Sequence, residues 1–181
     1  LGVVSPGEFV PLFEHNGFIT RLDAFVWEES CRVLQAWKTS GRGMIPISVN
    51  VSRIDLMQPN LCEMLSALVE KYGISPALLH LEVTESAYTN NPQKIISTVA
   101  ELRARGFKIE MDDFGSGYSS LNMLSELPID VLKLDMAFVQ RERTLGADKR
   151  SILRFILSLS KWLSLPTVAE GVETKEEVEK L

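Results

Sequence analysis

Cysteine and histidine are scarce in this sequence of 181 residues, with two of each. Cys31 and Cys62 stand in separate helical patterns, with neither a CxxC partner nor a histidine at ligand spacing. That argues against a zinc site or a disulfide framework and for two buried thiols in a reducing compartment. Long apolar runs are missing too. The most apolar stretch, 151–169, is broken by Arg154 and Lys161, so no segment reads as membrane-spanning. No charged n-region leads into an apolar h-region, as a signal peptide would require. There is no excess of positive charge: 19 Lys+Arg face 24 Asp+Glu, for a net −5. DNA and RNA polymers are therefore poor partners, and a phosphate ligand would need local cations or metal ions. What is present is an ordinary globular share of hydrophobic residues, 45%. One domain over 1–181 with a real core is expected, with no linker or repeat.

Short β-branched runs alternate with longer helical patterns. Strands are expected at 45–52, 78–85, 107–113, 131–135 and 165–172. Apolar stripes mark the helices: Leu22, Phe25, Val26, Cys31, Val33, Leu34 and Trp37; then Leu61, Leu65, Leu68 and Val69; then Ile95, Ile96, Val99 and Leu102; then Ile152, Phe155, Ile156, Leu159 and Trp162. Residues 118–127 have room only for a short helix, stopped by Pro128, and 1–17 show no regular pattern beyond a short helix opening near Phe9. Repeated strand–helix units imply a parallel α/β sheet with helices packed outside it.

Polar residues collect at the C-terminal ends of these strands: Asn50; Glu82 and Glu85; Asp112 and Asp113; Lys133 and Asp135; Glu170 and Glu173. In parallel α/β proteins that rim carries the ligand site. Singly, Asn50 could form a turn, Asp113 an Asx-turn and Glu173 a helix N-terminus, but those roles do not explain a shared position. Alternation puts His80 with Glu82, Glu110 with Asp112, Lys133 with Asp135 and Ser48 with Asn50 on one interior face. So many interior carboxylates are costly without cations, and hard oxygen ligands favour Mg²⁺ or Mn²⁺. Adjacent Asp112 and Asp113 suit a two-metal site only if the strand ends or bends there, which the glycines of 114–117 would allow. Lys133 among acids keeps its charge, to hold a water, stabilise negative charge or simply form an ion pair. His80 is expected to be a buried partner of Glu110, and His15 an exposed residue. Asp113-Phe-Gly115 alone does not make a kinase, since no nucleotide loop accompanies it.

The rim residues fall in six ordered segments: Ser5-Pro-Gly-Glu-Phe-Val-Pro11, Ser48-Val-Asn-Val-Ser52, Leu81-Glu-Val-Thr-Glu-Ser86, Asp112-Asp-Phe-Gly-Ser-Gly-Tyr-Ser-Ser120, Leu127-Pro-Ile-Asp-Val-Leu-Lys-Leu-Asp135 and Val168-Ala-Glu-Gly-Val-Glu-Thr174. Together they resemble the EAL-domain family of bacterial cyclic di-GMP phosphodiesterases and receptors. The resemblance implies a (β/α)₈ TIM-like barrel with one antiparallel strand, of which this chain lacks the first two strands and the last. It implies hydrolysis of cyclic di-GMP to linear pGpG with two divalent ions, Mg²⁺ or Mn²⁺. By the same resemblance Asn50, Glu82, Asp112 and Glu170 are metal ligands and Asp113 the ligand of the second metal. Lys133 positions or deprotonates the attacking water, Glu85 supports the loop after Asp113, and Asp135 and Glu173 contact substrate. A homodimer, a larger multidomain signalling protein and a cytoplasmic setting are further expectations. The family's Glu-Ala-Leu segment would precede Leu1, so the chain alone is expected to be inactive. The alternatives are a non-hydrolytic cyclic di-GMP receptor and an unrelated enolase-type Mg²⁺ barrel.

Overall fold

The computed structural model describes residues 2–88, 91–114, 121–135 and 152–178. Two helices come first, α1 (Pro6–Asn16) and α2 (Ile19–Thr39). Then strands and helices alternate: β1 (Ile47–Asn50), α3 (Arg53–Leu56), α4 (Leu61–Lys71), β2 (Leu79–Thr84), α5 (Glu85–Tyr88), α6 (Pro92–Ala104), β3 (Lys108–Phe114), α7 (Leu121–Glu126), β4 (Val131–Leu134), α8 (Ile152–Trp162), β5 (Thr167–Ala169) and α9 (Lys175–Val178). The five strands form one all-parallel sheet in sequence order, with β1 and β5 at its edges. Each expected strand is found, but with shorter or shifted bounds, most clearly β5. Sequential parallel order with helical crossovers is the construction of a (β/α) barrel wall.

The pleat sorts the side chains. Leu79, Leu81 and Val83 of β2, Ile109 and Met111 of β3, and Leu132 and Leu134 of β4 are completely covered. They meet Leu61 and Leu65 of α4 and Ile95, Val99 and Leu102 of α6 in one core. Burying each such side chain contributes roughly 1.5–3 kcal/mol. Between these outward residues lie Glu82, Asp112 and Lys133, half-buried on the opposite face. Ser52 starts α3 by accepting from the Asp55 N–H, and Asn91 starts α6 by accepting from Lys94 N–H with Pro92 in the first turn.

At the N-terminal ends of β3 and β4, Asp130 fastens the sheet to α6. Its carboxylate accepts both Arg103 Nε and Nη2 at 3.1 Å, Lys108 Nζ at 3.1 Å and the Ile109 N–H at 3.0 Å. Burial would raise its pKa, yet the Arg103 guanidinium, the Ile109 N–H and Lys108 together hold it below the usual carboxylate value.

Three expectations change. The apolar stripe of α2 is turned: Ile19, Asp23, Trp27, Cys31 and Leu34 are buried, while Phe25, Val26 and Val33 are exposed. Apolar residues occupy both sides of this helix, so periodicity alone picked the wrong phase, and the buried stripe contains an aspartate. On α8, Phe155 and Trp162 are exposed and Leu153 and Ile156 are buried. Residues 6–16, without a regular apolar pattern, form a complete helix that begins on Pro6 and stops at Gly17 in left-handed conformation. Both cysteines are buried and free, with burial pushing each thiol up to about 11.

Candidate active site

Strand register brings the rim residues together in pairs. Asn50 stands opposite Glu82, Glu82 opposite Glu110, and Thr84 opposite Asp112. Glu170 follows β5 and donates its N–H to the Leu134 carbonyl, prolonging the sheet beside Lys133.

Lys133 is the centre of the cluster. Its Nζ lies 2.7 Å from Glu82 Oε1, 2.8 Å from Glu170 Oε1 and 3.1 Å from Asp112 Oδ1. Burial alone would lower the pKa of the ammonium. The bonds to Glu170, Glu82 and Asp112 outweigh it and hold Lys133 above the ordinary lysine range. Glu82 is nevertheless pushed up, by burial and by the charges of Asp112 and Glu110, against the pull of Lys133. One ammonium does not neutralise three carboxylates.

The bend needed between Asp112 and Asp113 exists, but within the strand rather than in the loop after it. The β3–β4 register shifts between Met111 and Phe114, and Asp113 takes φ 56°. This bulge in left-handed conformation, which aspartate tolerates better than most residues, releases two consecutive carboxylates from opposite faces. Asp112 is half-buried and reaches Lys133, while the Asp113 carboxyl is pushed up by burial and by Asp112, Asp135 and Glu170.

Asn50 and Asp113 line a cleft of about 730 Å³ between α1, α2 and the ends of β1–β3, with Asp23, Arg53, Thr84 and Ser86. Glu85 opens α5 and is buried. Asp135 continues β4 with its N–H on the Phe114 carbonyl, and Glu173 lies exposed beyond β5. Deeper on the interior face His80 Nδ1 meets Glu110 Oε1 at 2.6 Å. Of the loop that Glu85 is expected to support, 114–120, residues 115–120 lie outside the described residues.

The donors facing the rim are all oxygens, the chemistry hard divalent cations take. Asp112 Oδ1 is buried and makes no hydrogen bond of good geometry, Lys133 Nζ being close but poorly aligned. That leftover acceptor fits a cation. Among the described residues no three His, Cys, Asp or Glu stand together closely enough to hold a metal ion, and the rim carboxylates converge on the Lys133 ammonium. The carboxylate-rich set therefore suits the expected ions in type.

Sequence patterns did not reveal a second group at this rim. Trp27 Nε1 donates to the Asn50 carbonyl at 2.8 Å, and Asp23 Oδ2 accepts the Ser52 N–H at 3.3 Å. Their i, i+4 spacing on one helix face was the available signal.

The EAL domain family model matches residues 1–181. The chain is 36% identical over 178 residues, 98% of its length, to the bifunctional diguanylate cyclase/cyclic di-GMP phosphodiesterase MucR of Pseudomonas aeruginosa. It covers 26% of that protein. It is 35% identical to the cyclic di-GMP phosphodiesterase NbdA of the same organism, over 98% of this chain and 22% of NbdA. The chain thus spans about a quarter of the length of the curated relatives it matches. Among solved structures it superposes on the PaMucR phosphodiesterase in complex with c-di-GMP with TM-score 0.89 and 35% identity, over 98% of this chain and 72% of that one. The FimX EAL domain, 20% identical at TM-score 0.89 over 99% of this chain and 71% of its own, shares the fold. The sheet is therefore the wall of a TIM-barrel-like domain, and the chain belongs to the EAL domain family.

Proposed function

We propose that this domain hydrolyses one phosphodiester of cyclic di-GMP to give linear pGpG, as part of a larger signalling protein that works as a homodimer. The observation that carries this reading is the Lys133 cluster on a chain whose relatives include cyclic di-GMP phosphodiesterases. Asn50, Glu82, Asp112 and Glu170 would hold one Mg²⁺ or Mn²⁺ and Asp113 a second. Bound there, the ions supply charge neutralisation and a nucleophilic water at neutral pH.

The chain's own residues do the rest. The rim carboxylates are fixed by strand register, so they need little rearrangement before the reaction. Water adds to phosphorus, the bond to a ribose 3′-oxygen breaks, and a proton from the water ends on that oxygen, leaving a 5′-phosphate and a 3′-hydroxyl. The three carboxylates hold Lys133 charged, which favours positioning the attacking water over deprotonating it. Lys133 orients the attacking water and stabilises negative charge developing on the phosphoryl oxygens. Glu85 supports the segment after Asp113, and Asp135 and Glu173 face the substrate.

The test is cyclic di-GMP hydrolysis by the parent protein, followed as pGpG release. Lys133→Ala should abolish turnover and leave ligand binding in place. Wild-type protein that binds the ligand tightly without releasing pGpG would make the domain a receptor instead.

A further inference from the structure

Two buried carboxyls lie beneath the end of β1, with no cation paired to either among the described residues. Asp55 is fully buried and Asp23 nearly so, and the two carboxyls adjoin at Ser52, which donates to both, close enough for one to bond the other once protonated. Asp55 Oδ1 accepts from Gln58 Nε2 at 3.0 Å, and its Oδ2 accepts from the Ser52 hydroxyl. Asp23 Oδ2 accepts the Ser52 N–H. The other charged residues lining the cleft with Asp23 are Glu14 of α1, Arg53 of α3 and Asp113 of β3. Among the described residues none of them pairs with Asp23 or Asp55. Two touching buried carboxylates cannot both be ionised at ordinary cost without a counter-ion.

From this geometry we infer that Asp23 and Asp55 share a single proton, carried by Asp23, and that Asp23 is a positioning residue for Asn50. Asp55 already accepts on both oxygens, so it is the ionised partner, and Asp23 donates to it. The link to Asn50 runs through the backbone. Trp27, one turn after Asp23 on α2, holds the Asn50 carbonyl at 2.8 Å. Val51 N–H holds the Glu82 carbonyl at 2.9 Å, and Ser52 N–H meets Asp23. Helix α2 thus grips β1 at alternate residues on either side of a ladder bond. Losing the shared proton puts two negative charges under that grip. Burial, the Asp55 hydrogen bond and the Asp55 charge push the Asp23 carboxyl up to about 7, against the Ser52 bonds. Only the part given to Asn50 rests on the proposed function.

The experiment is an NMR titration of the protein through about pH 7, without substrate or metal. It follows the Asp23 and Asp55 carboxyl carbons and the Trp27 indole N–H, assigned with Trp27→Phe. Asp23 should titrate with a midpoint near 7, and the Trp27 resonance should move with Asp23. Asp23→Asn, which mimics the protonated acid, should keep the indole at its acid position and abolish its movement. An Asp23 midpoint near the ordinary 3.8 would overturn the shared proton. A Trp27 signal that ignores Asp23, or still moves in Asp23→Asn, would overturn the positioning role. If Asp23→Asn fails to fold, the wild-type carboxyl titration still decides. Because no turnover is measured, an inactive domain leaves the outcome unaffected.

Discussion

Glu82 and Glu170 sit on and just after β2 and β5, at opposite ends of a four-strand span, and meet through one atom, Lys133 Nζ, at 2.7 and 2.8 Å. Asp112, on the strand between Glu82 and Lys133, joins them at 3.1 Å. The rim is therefore tied across the sheet by a side chain as well as by the backbone ladder, and the tie leaves negative charge in excess.

Removing the ammonium should expose that excess. In metal-free protein, Lys133→Met is expected to cost about 3–5 kcal/mol, the usual penalty for stranding one side of a buried ion pair. The sign with pH follows from the carboxylates. Glu82 is already pushed up by burial against the pull of Lys133, and without that pull it rises further above its unfolded value, so the native state binds protons more tightly and stability falls as pH rises. Urea unfolding of wild type and Lys133→Met at acid and alkaline pH measures it. A pH-independent difference would count against the three-carboxylate cluster.

A divalent ion should stabilise the same cluster. Mn²⁺ at about a hundred times its Kd is expected to add about 2.7 kcal/mol to unfolding stability. The Glu82→Gln, Asp112→Asn double variant should lose that gain while folding in metal-free buffer. Thermal melts with and without Mn²⁺ check this, and an equal gain in the double variant would place the ion elsewhere.

Asp130 provides the contrast, since it lies at the opposite end of β3 and β4. Asp130→Ala is expected to cost roughly 1–3 kcal/mol through its lost charged hydrogen bonds, with Mn²⁺ affinity unchanged. Its native pKa is lowered from 3.8. The contribution is therefore complete above that value and disappears as pH falls through the lower native one. Acid unfolding of Asp130→Asn should begin from a lower plateau and show a shallower loss than wild type.

The strands and the rim were legible because both are written with period two. In β2 an apolar residue at every second position forces His80, Glu82 and Thr84 to the other face, and no tertiary context competes with that alternation. The shared face of His80 and Glu110 follows from the same rule, although the register sets His80 opposite Lys108 and the two meet across a diagonal of the sheet. The Asp113 bulge was legible only as a requirement, since φ 56° at a non-glycine residue leaves no composition signal. Helix α2 was misread because Phe25, Val26 and Val33 carry the apolar weight on the outer side, while the inner stripe includes Asp23. A buried acid whose partners are another acid and a backbone N–H breaks the polar-outside rule. The Asn50 grip was invisible for that reason.

Trp27 tests that grip at its other contact. Trp27→Phe keeps a buried ring but removes the N–H that the Asn50 carbonyl accepts. An acceptor left unpaired there costs roughly 1–3 kcal/mol. If Asn50 holds a cation, freeing its backbone should also lower Mn²⁺ affinity by about 10–100-fold, the usual effect of losing a residue that supports a ligand. Asn50→Ala sets the scale for complete loss of that ligand. Calorimetric titration of Mn²⁺ into wild type, Trp27→Phe and Asn50→Ala separates the effects. Affinity in Trp27→Phe equal to wild type, with stability alone reduced, would leave the α2 contact a structural one and detach Asn50 from it.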